Sequence, residues 1–136
     1  MATTLTGGCL CGAVRYEYTG DPLFAANCHC RDCQRASGAP FTANIGVPSP
    51  ALKMTGELKY YDVKADSGNT LSRGFCPNCG ARVVSRPARN PDMVVISATS
   101  LDDPSIYKPA MDIYASSAQP WDVLSPGTAK FPKMPQ

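Results

Sequence analysis

The sequence has few charged residues and no long apolar run, and both features limit its possible functions. Only 18% of its 136 residues are charged, and 13 Lys and Arg against 11 Asp and Glu give a net charge of +2. The basic residues are scattered rather than clustered, so we expect no nucleic-acid partner and no anionic-lipid surface. No segment approaches the roughly 18 apolar residues that a membrane span needs, so we expect no membrane partner either.

Targeting and disulfide signals are also missing. The first residues, "MATTLTGGCLCG", lack the basic and apolar regions of a signal peptide, and we therefore expect a cytoplasmic protein. The cytosol keeps thiols reduced, and the seven cysteines are an odd number, so a disulfide framework is not expected. Metal binding or thiol chemistry is left to explain the cysteines.

Helix signals are scarce, which favours a mainly β fold. The one helical candidate is short, at 32–37, with Gly38 as a possible C-cap and Pro40 following it. The chain has room for one domain, which we expect to span residues 1–136 with an irregular tail from about residue 124. The 13 prolines indicate many loops.

The strand signals are short and regularly spaced. In "LCGAVRYEY" Val14, Tyr16 and Tyr18 fall on one face and polar residues on the other, the period of a half-buried strand. Pro and Gly punctuators separate the further candidates, at intervals typical of an all-β protein. These candidates are 41–47, 56–63, 70–75, 80–86, 92–98 and 110–116.

The cysteines form three clusters, and the third resembles half of a zinc site. In "FCPNCGA" a tight turn brings the sulfurs of Cys76 and Cys79 to one metal. Pro77 presets one backbone dihedral, and Gly80 lets the chain leave the turn with a positive φ. This knuckle needs two more ligands.

The first cluster can supply those ligands. Side chains at i and i+2 of an extended segment point the same way, and the glycines around Cys9 and Cys11 in "GGCLCG" allow a close approach. The sequence therefore predicts a closed, tetrahedral, structural zinc site at Cys9, Cys11, Cys76 and Cys79.

The middle cluster, Cys28, Cys30 and Cys33, is left with three thiols and one open position. An open position separates catalytic from structural zinc, and three soft sulfurs suit a substrate thiol bound as thiolate. We expect a second zinc here, giving two per chain. A structural site completed by His29 or a distant carboxylate, or free oxidisable thiols, are the alternatives. In an extended segment the ring of His29 would point away from the shared metal.

The large aromatic residues carry no separate functional signal. Trp121 in "QPWDV" could line a pocket beside a thiol site, but a core position is the favoured interpretation. Phe41, Tyr60 and Tyr61 are expected in the core or on half-buried strands.

Four segments in this order, "GGCLCGAVRY", "CHCRDCQRASGAPF", "FCPNCGARV" and "SSAQPWDV", resemble the glutathione-dependent formaldehyde-activating enzyme family, also called the CENP-V/GFA domain. The resemblance covers about residues 7–123. It implies an Mss4-like (β-tent) fold of antiparallel sheets around zinc. It also implies a structural zinc on the first and third clusters and an active-site zinc on Cys28, Cys30 and Cys33.

The family name implies a carbon–sulfur lyase-type reaction, the addition of formaldehyde to glutathione to give S-hydroxymethylglutathione, and its reverse. Arg31, Gln34 and Arg35 are the nearest candidates for contacts to the substrate carboxylates, because an Arg fork suits a carboxylate. Solvated surface charge explains the two arginines equally well. The alternatives are the same chemistry on another thiol or a glutathione conjugate, a non-catalytic zinc-binding module, and a redox or zinc sensor.

Overall fold

The computed structural model describes residues 3–135, which form two β-sheets and one short α-helix. The strands are β1 Thr4–Gly8, β2 Arg15–Thr19, β3 Phe24–Cys28, β4 Thr42–Pro48, β5 Lys53–Thr55, β6 Lys59–Lys64, β7 Thr70–Phe75, β8 Arg82–Pro87, β9 Met93–Ser97, β10 Met111–Ile113 and β11 Ala129–Lys130. The helix is α1, Arg31–Ser37, and short 3-10 turns lie at Ser49–Ala51, Ala98–Ser100, Pro104–Ile106 and Ala115–Ser117.

The sheets differ in size and in strand direction. One has three strands in the order β1-β2-β5, and the other has eight in the order β11-β10-β3-β4-β9-β8-β7-β6. All pairs are antiparallel except those that β10 makes with β3 and β11, which are parallel. The larger sheet is therefore mixed rather than purely antiparallel.

The predicted alternation in the second strand is confirmed. Tyr16 and Tyr18 are buried while their neighbours along β2 are exposed, and Val14 just before it is fully buried. The strand begins at Arg15 rather than at Leu10, because residues 10–13 form a turn beside the cysteines and Leu10 is exposed.

The other strand predictions vary in accuracy. The strand at 70–75 is observed as predicted, and those at 41–47, 80–86 and 92–98 are shifted by one or two residues. The candidate at 56–63 begins at Lys59, and the one at 110–116 shortens to three residues. The sequence analysis missed β1, β3 and β5, as well as β11 within the predicted irregular tail, because these segments are short or rich in Gly, Ala and Asn.

The predicted helix is confirmed and places a cysteine. The N-cap of α1 is Cys30, whose Sγ accepts a hydrogen bond from the Cys33 N–H at 3.3 Å, and Gly38 is its left-handed C-cap. Asp32 in the first turn and Arg35 in the last complement the helix dipole. The helix begins three residues after β3 ends, so it carries Cys33 back toward Cys28.

The core has two parts, and each contains cysteines. The larger part holds valines and isoleucines from several strands together with Cys9 and Cys76. The smaller part consists of Cys28, Cys33 and Ile113, with Met111, Tyr114 and Phe131 packed against it. Each cysteine cluster is therefore built into apolar surroundings.

The aromatic predictions are partly wrong. Phe41 is half-buried as expected, but Tyr60 and Tyr61 are exposed because β6 is the edge strand of the larger sheet. Trp121, expected in the core, is 70% exposed and lies in an irregular segment after the last 3-10 turn. Across residues 3–135, none of the helices has the length and apolar character needed to cross a membrane.

Candidate active site

The first and third cysteine clusters meet in space to form a four-cysteine group. The Sγ atoms of Cys9, Cys11, Cys76 and Cys79 all lie within 4.8 Å of one another. Cys9 and Cys11 Sγ are 3.7 Å apart, and Cys11 and Cys76 Sγ are 3.8 Å apart. Four sulfurs at the usual Zn–S distance of a tetrahedral site are about 3.8 Å from each other. The donor set and its spacing therefore fit zinc.

The two turns that form this group belong to different sheets. Cys9 and Cys11 lie between β1 and β2, whereas Cys76 and Cys79 lie between β7 and β8. The Gly80 N–H donates to the Cys76 carbonyl at 2.8 Å, and Gly80 has a φ of 77°, which confirms the predicted need for glycine. A metal held here would connect the two sheets.

Hydrogen-bond donors surround the four sulfurs. The Val14 N–H donates to Cys9 Sγ at 3.3 Å, and the Asn78 side-chain amide donates to Cys11 Sγ at 3.2 Å. Burial acts to raise the pKa of Cys9, but the Val14 N–H and the neighbouring thiols outweigh it and lower this pKa to about 6. The surroundings of Cys9 thus favour the thiolate that a metal requires.

The middle cluster forms a three-cysteine group. The Sγ atoms of Cys28, Cys30 and Cys33 lie within 4.8 Å of one another, and within residues 3–135 no fourth Cys, His, Asp or Glu joins them. Cys28 ends β3, Cys30 caps α1, and Cys33 lies in the first turn of that helix. The three thiols fit a zinc ion that keeps one coordination position for another ligand.

Two arginines lie near this group. Arg73 is 8% exposed, and its guanidinium nitrogen is 3.7 Å from Cys33 Sγ. Hydrogen bonds from the Cys28 and Cys30 thiols, with the Arg73 charge as a smaller contribution, hold the pKa of Cys33 well below its usual range. Arg82 is half-buried, and both its own burial and the charge of Arg73 lower its pKa. The sequence analysis missed both arginines.

His29 is held away from the three sulfurs. Its Nε2 is 2.7 Å from Asp112 Oδ1 and its Nδ1 is 3.3 Å from Asp122 Oδ2, with the ring almost fully buried. Asp112 also accepts hydrogen bonds from the Asn27 amide at 3.2 Å and from the Thr128 hydroxyl. Asp112 was not foreseen, because its role depends on the parallel pairing of β10 with β3.

Gln34, predicted as a substrate contact, is buried and engaged by protein groups. Its Nε2 donates to the carbonyls of His29 at 2.6 Å and Ser117 at 3.0 Å. Its Oε1 accepts from Arg31 at 2.6 Å and from Gln119 at 3.0 Å. These bonds fix α1 to the loop before it, so Gln34 positions the segment that carries Cys30 and Cys33.

The other two predicted substrate contacts, Arg31 and Arg35, are exposed on α1. Together with Gln34 and the exposed Trp121 they line a pocket of about 230 Å³. The pocket interpretation of Trp121, which the sequence analysis set second, therefore matches its location better than a core position does. The structure brings all three predicted contacts to the helix of Cys33, and their contact with a substrate stays a prediction.

A larger cleft of about 940 Å³ separates α1 from the four-cysteine group. Its walls include Ser37 near the end of α1, Thr42, Arg82 and Ser100. Thr42 on β4 is the register partner of Cys28 on β3, so the cleft reaches the strand next to the one that ends in Cys28, although none of the three cysteines lines it. Nothing in the local sequence around Thr42 or Arg82 indicates a binding role.

Comparisons with known proteins agree with this architecture. The family model described as "Glutathione-dependent formaldehyde-activating enzyme" matches residues 4–117. A crystal structure of a Rhodobacter sphaeroides protein superposes with a TM-score of 0.56 at 23% identity, over 71% of this chain and 87% of that one. At this identity the likeness concerns the fold alone. The mainly β, Mss4-like fold with cysteine groups suited to metal is thus confirmed.

Proposed function

Because this chain belongs to the glutathione-dependent formaldehyde-activating enzyme family, we propose that it is a zinc-dependent carbon–sulfur lyase-type enzyme acting on a thiol adduct. The reaction is the addition of formaldehyde to glutathione to give S-hydroxymethylglutathione, and its reverse. A reducing compartment such as the cytoplasm would keep its seven cysteines as thiols. Another thiol or a glutathione conjugate would require the same site and is the alternative substrate.

The observation that carries this proposal is the contrast between the two cysteine groups. One group offers four thiols, a complete tetrahedral set, and the other offers three. His29 does not complete the second set, because its Nε2 contacts Asp112 at 2.7 Å and its Nδ1 faces Asp122 at 3.3 Å. We therefore assign a structural zinc to Cys9, Cys11, Cys76 and Cys79, and an active-site zinc to Cys28, Cys30 and Cys33.

The chemistry follows from a thiol held at the three-cysteine group. When bound, zinc would supply the charge that keeps a substrate thiol as its nucleophilic thiolate at neutral pH. Arg73 reduces the repulsion among the clustered thiolates, and the cleft provides room for the rest of the substrate. In the forward direction the sulfur forms a bond to the aldehyde carbon and the aldehyde oxygen gains a proton. In reverse the carbon–sulfur bond breaks, and the hydroxyl loses its proton.

Calorimetry on the zinc-loaded protein tests this proposal. If glutathione binds as a thiolate, binding releases its thiol proton. The affinity should then rise about tenfold per pH unit and level off near the thiol pKa of about 8.5. S-methylglutathione keeps both carboxylates but has no ionisable thiol, so it should bind far more weakly. Equal affinities for the two compounds would rule out the metal–thiolate mechanism.

Turnover separates an enzyme from a non-catalytic module. The exchange between glutathione with formaldehyde and their adduct can be followed by NMR magnetisation transfer. We expect exchange faster than the spontaneous rate with the wild-type protein, and exchange at only the spontaneous rate with Cys30→Ser. Tight glutathione binding without faster exchange would favour a zinc-binding module instead.

A further inference from the structure

We propose that Arg82 and Thr42 form a recognition site for a carboxylate of the thiol substrate, in the cleft between α1 and the four-cysteine group. This inference rests on the proposed function, because it names the part of the substrate that this site would bind. It assigns a role to two residues outside the predicted contacts on α1.

Arg82 is a half-buried cation without a carboxylate partner among the residues that the structure describes. Its Nε is buried and has no hydrogen-bond partner, and its best contact is a 3.5 Å hydrogen bond to Ser85 Oγ. No Asp or Glu in the part of the chain that the structure describes lies within ion-pair distance of it. A desolvated cation of this kind is costly unless an anion pairs with it. The missing anion would therefore come from a ligand.

Arg15 on the same cleft provides the contrast. Its two terminal nitrogens contact the Asp102 carboxylate at 2.9 and 2.5 Å, a bidentate pair. The cleft thus contains one arginine whose charge the protein satisfies and one whose charge it leaves for another group. Of these two arginines, Arg82 is the one available to bind an incoming carboxylate.

Thr42 adds a second unsatisfied donor on the wall of the same cleft. The residue is 4% exposed, and its Oγ1 has no nitrogen or oxygen partner for a hydrogen bond. Its hydroxyl lies beside the Cys33 thiol, whose pKa it helps to lower. Buried hydroxyl groups normally have a partner, so a polar ligand atom would satisfy this one. A guanidinium fork and a hydroxyl together match the two oxygens of a carboxylate.

The location favours a substrate carboxylate over a role for Arg82 in balancing the thiolates. Arg73 already contacts Cys33 Sγ at 3.7 Å. Arg82 interacts with the three thiols only at longer range, through its charge, and makes no hydrogen bond to any sulfur within residues 3–135. Thr42 pairs across the sheet with Cys28, which links the recognition site to the three-cysteine group. A cleft of about 940 Å³ is within the range of small-molecule sites. A peptide thiol could place its sulfur at the cysteines and its carboxylate at Arg82.

The Arg82→Gln variant tests the proposal with two thiols on the zinc-loaded full chain. The affinity of glutathione, measured by calorimetry, should fall about tenfold to a hundredfold, the usual effect of losing a charge-assisted hydrogen bond. The affinity of 2-mercaptoethanol, which has no carboxylate, should stay unchanged. Arg86→Gln is the matched control: Arg86 lies on the same strand, but it bonds to Tyr60 and Ser49 and does not line the cleft. This control should change neither affinity.

A second measurement avoids any dependence on the folding of the variant. With the wild-type protein, glutathione dimethyl ester should bind about tenfold to a hundredfold more weakly than glutathione, and Arg82→Gln should weaken the ester no further. Thr42→Val, which keeps the side-chain shape, should reproduce part of the loss for glutathione only. If Arg82→Gln weakened glutathione and 2-mercaptoethanol equally, the proposal would be overturned, because Arg82 would then act on the sulfur. An unchanged glutathione affinity would overturn it too and point to Arg31 and Arg35.

The failure of the proposed function has a different signature. If no thiol binds at the metal, 2-mercaptoethanol will not bind to the wild-type protein at any pH. The weak binding of S-methylglutathione should still depend on Arg82 if the carboxylate site exists. Binding of S-methylglutathione that is equal in the wild type and in Arg82→Gln would overturn the carboxylate site by itself.

Discussion

Arg73 is a buried cation that contacts a thiol instead of a carboxylate. It lies on β7 with 8% of its surface exposed, and its guanidinium is 3.7 Å from Cys33 Sγ. Three thiolates in one apolar cluster repel each other, and a fixed positive charge reduces that repulsion. Arg73 should therefore help the three-cysteine group to hold a metal.

Replacing Arg73 by Met, which is also long but uncharged, tests this role. The zinc affinity of the three-cysteine group should fall about tenfold, because the thiolates lose a neighbouring cation. Competition with a chromophoric chelator measures the affinity of the weaker site, and Arg86→Gln serves as the control. An unchanged affinity in a folded Arg73→Met protein would mean that the arginine only fills space.

At the residue scale, the sequence predicted which cysteines come together but not which other side chains surround them. The spacings C-x-C, C-x-C-x-x-C and C-x-x-C carry the chemistry of ligation in themselves, and the structure assembles the two groups that the sequence analysis proposed. The contacts of Arg73 and Asp112 depend on strands far apart in the chain. Neither residue belongs to a local motif, so only the tertiary structure reveals its role.

At the scale of elements, the four-cysteine group connects the two sheets, which share no strand. Its first two cysteines follow β1 in the three-stranded sheet, and the other two follow β7 in the eight-stranded sheet. A metal there joins Cys11 to Cys76, which are 65 residues apart in the sequence but have their Sγ atoms 3.8 Å apart. The three-cysteine group instead joins β3 to the adjacent helix α1, which Gly38 and Gln34 already hold in place.

This difference predicts opposite outcomes for two matched Cys→Ser variants. Cys76→Ser should be strongly destabilised or insoluble, because a structural zinc site contributes folding free energy directly. Cys30→Ser should keep the wild-type far-UV spectrum and most of its thermal stability while losing zinc at the three-cysteine group. Circular dichroism, melting curves and zinc content decide the matter. A cooperatively folded Cys76→Ser, or an unfolded Cys30→Ser, would contradict the assignment.

The strands show where local sequence patterns are sufficient and where they are not. The sequence predicted β2 and β7 well, because their residues alternate or favour strands. The segments "TLTGG", "FAANC" and "KMT" have weak strand propensity, and their pairing with β2 and β4 stabilises them in extended form. The exposed positions of Tyr61 and Trp121 also lay beyond local patterns, because a position at a sheet edge or in a late loop is a property of the topology.

At the scale of the whole molecule, the two cysteine groups differ in the number of protein ligands that they offer. The four-cysteine group is a complete ligand set at the contact between two sheets, and hydrogen bonds from Val14 and Asn78 support it. The three-cysteine group offers only three sulfurs. A zinc ion with fewer protein ligands and an exchangeable position dissociates more readily.

We therefore expect two zinc ions per chain in the purified protein, with different resistance to chelation. Brief treatment with EDTA should remove one ion, and mass spectrometry under native conditions should show the one-zinc form. That form should keep its far-UV spectrum and melt near the temperature of the two-zinc form, but it should no longer bind glutathione until zinc is added back. If both ions leave together and the protein unfolds, the three-cysteine group is as structural as the four-cysteine group. In that case the assignment of an active-site zinc to Cys28, Cys30 and Cys33 would have to be withdrawn.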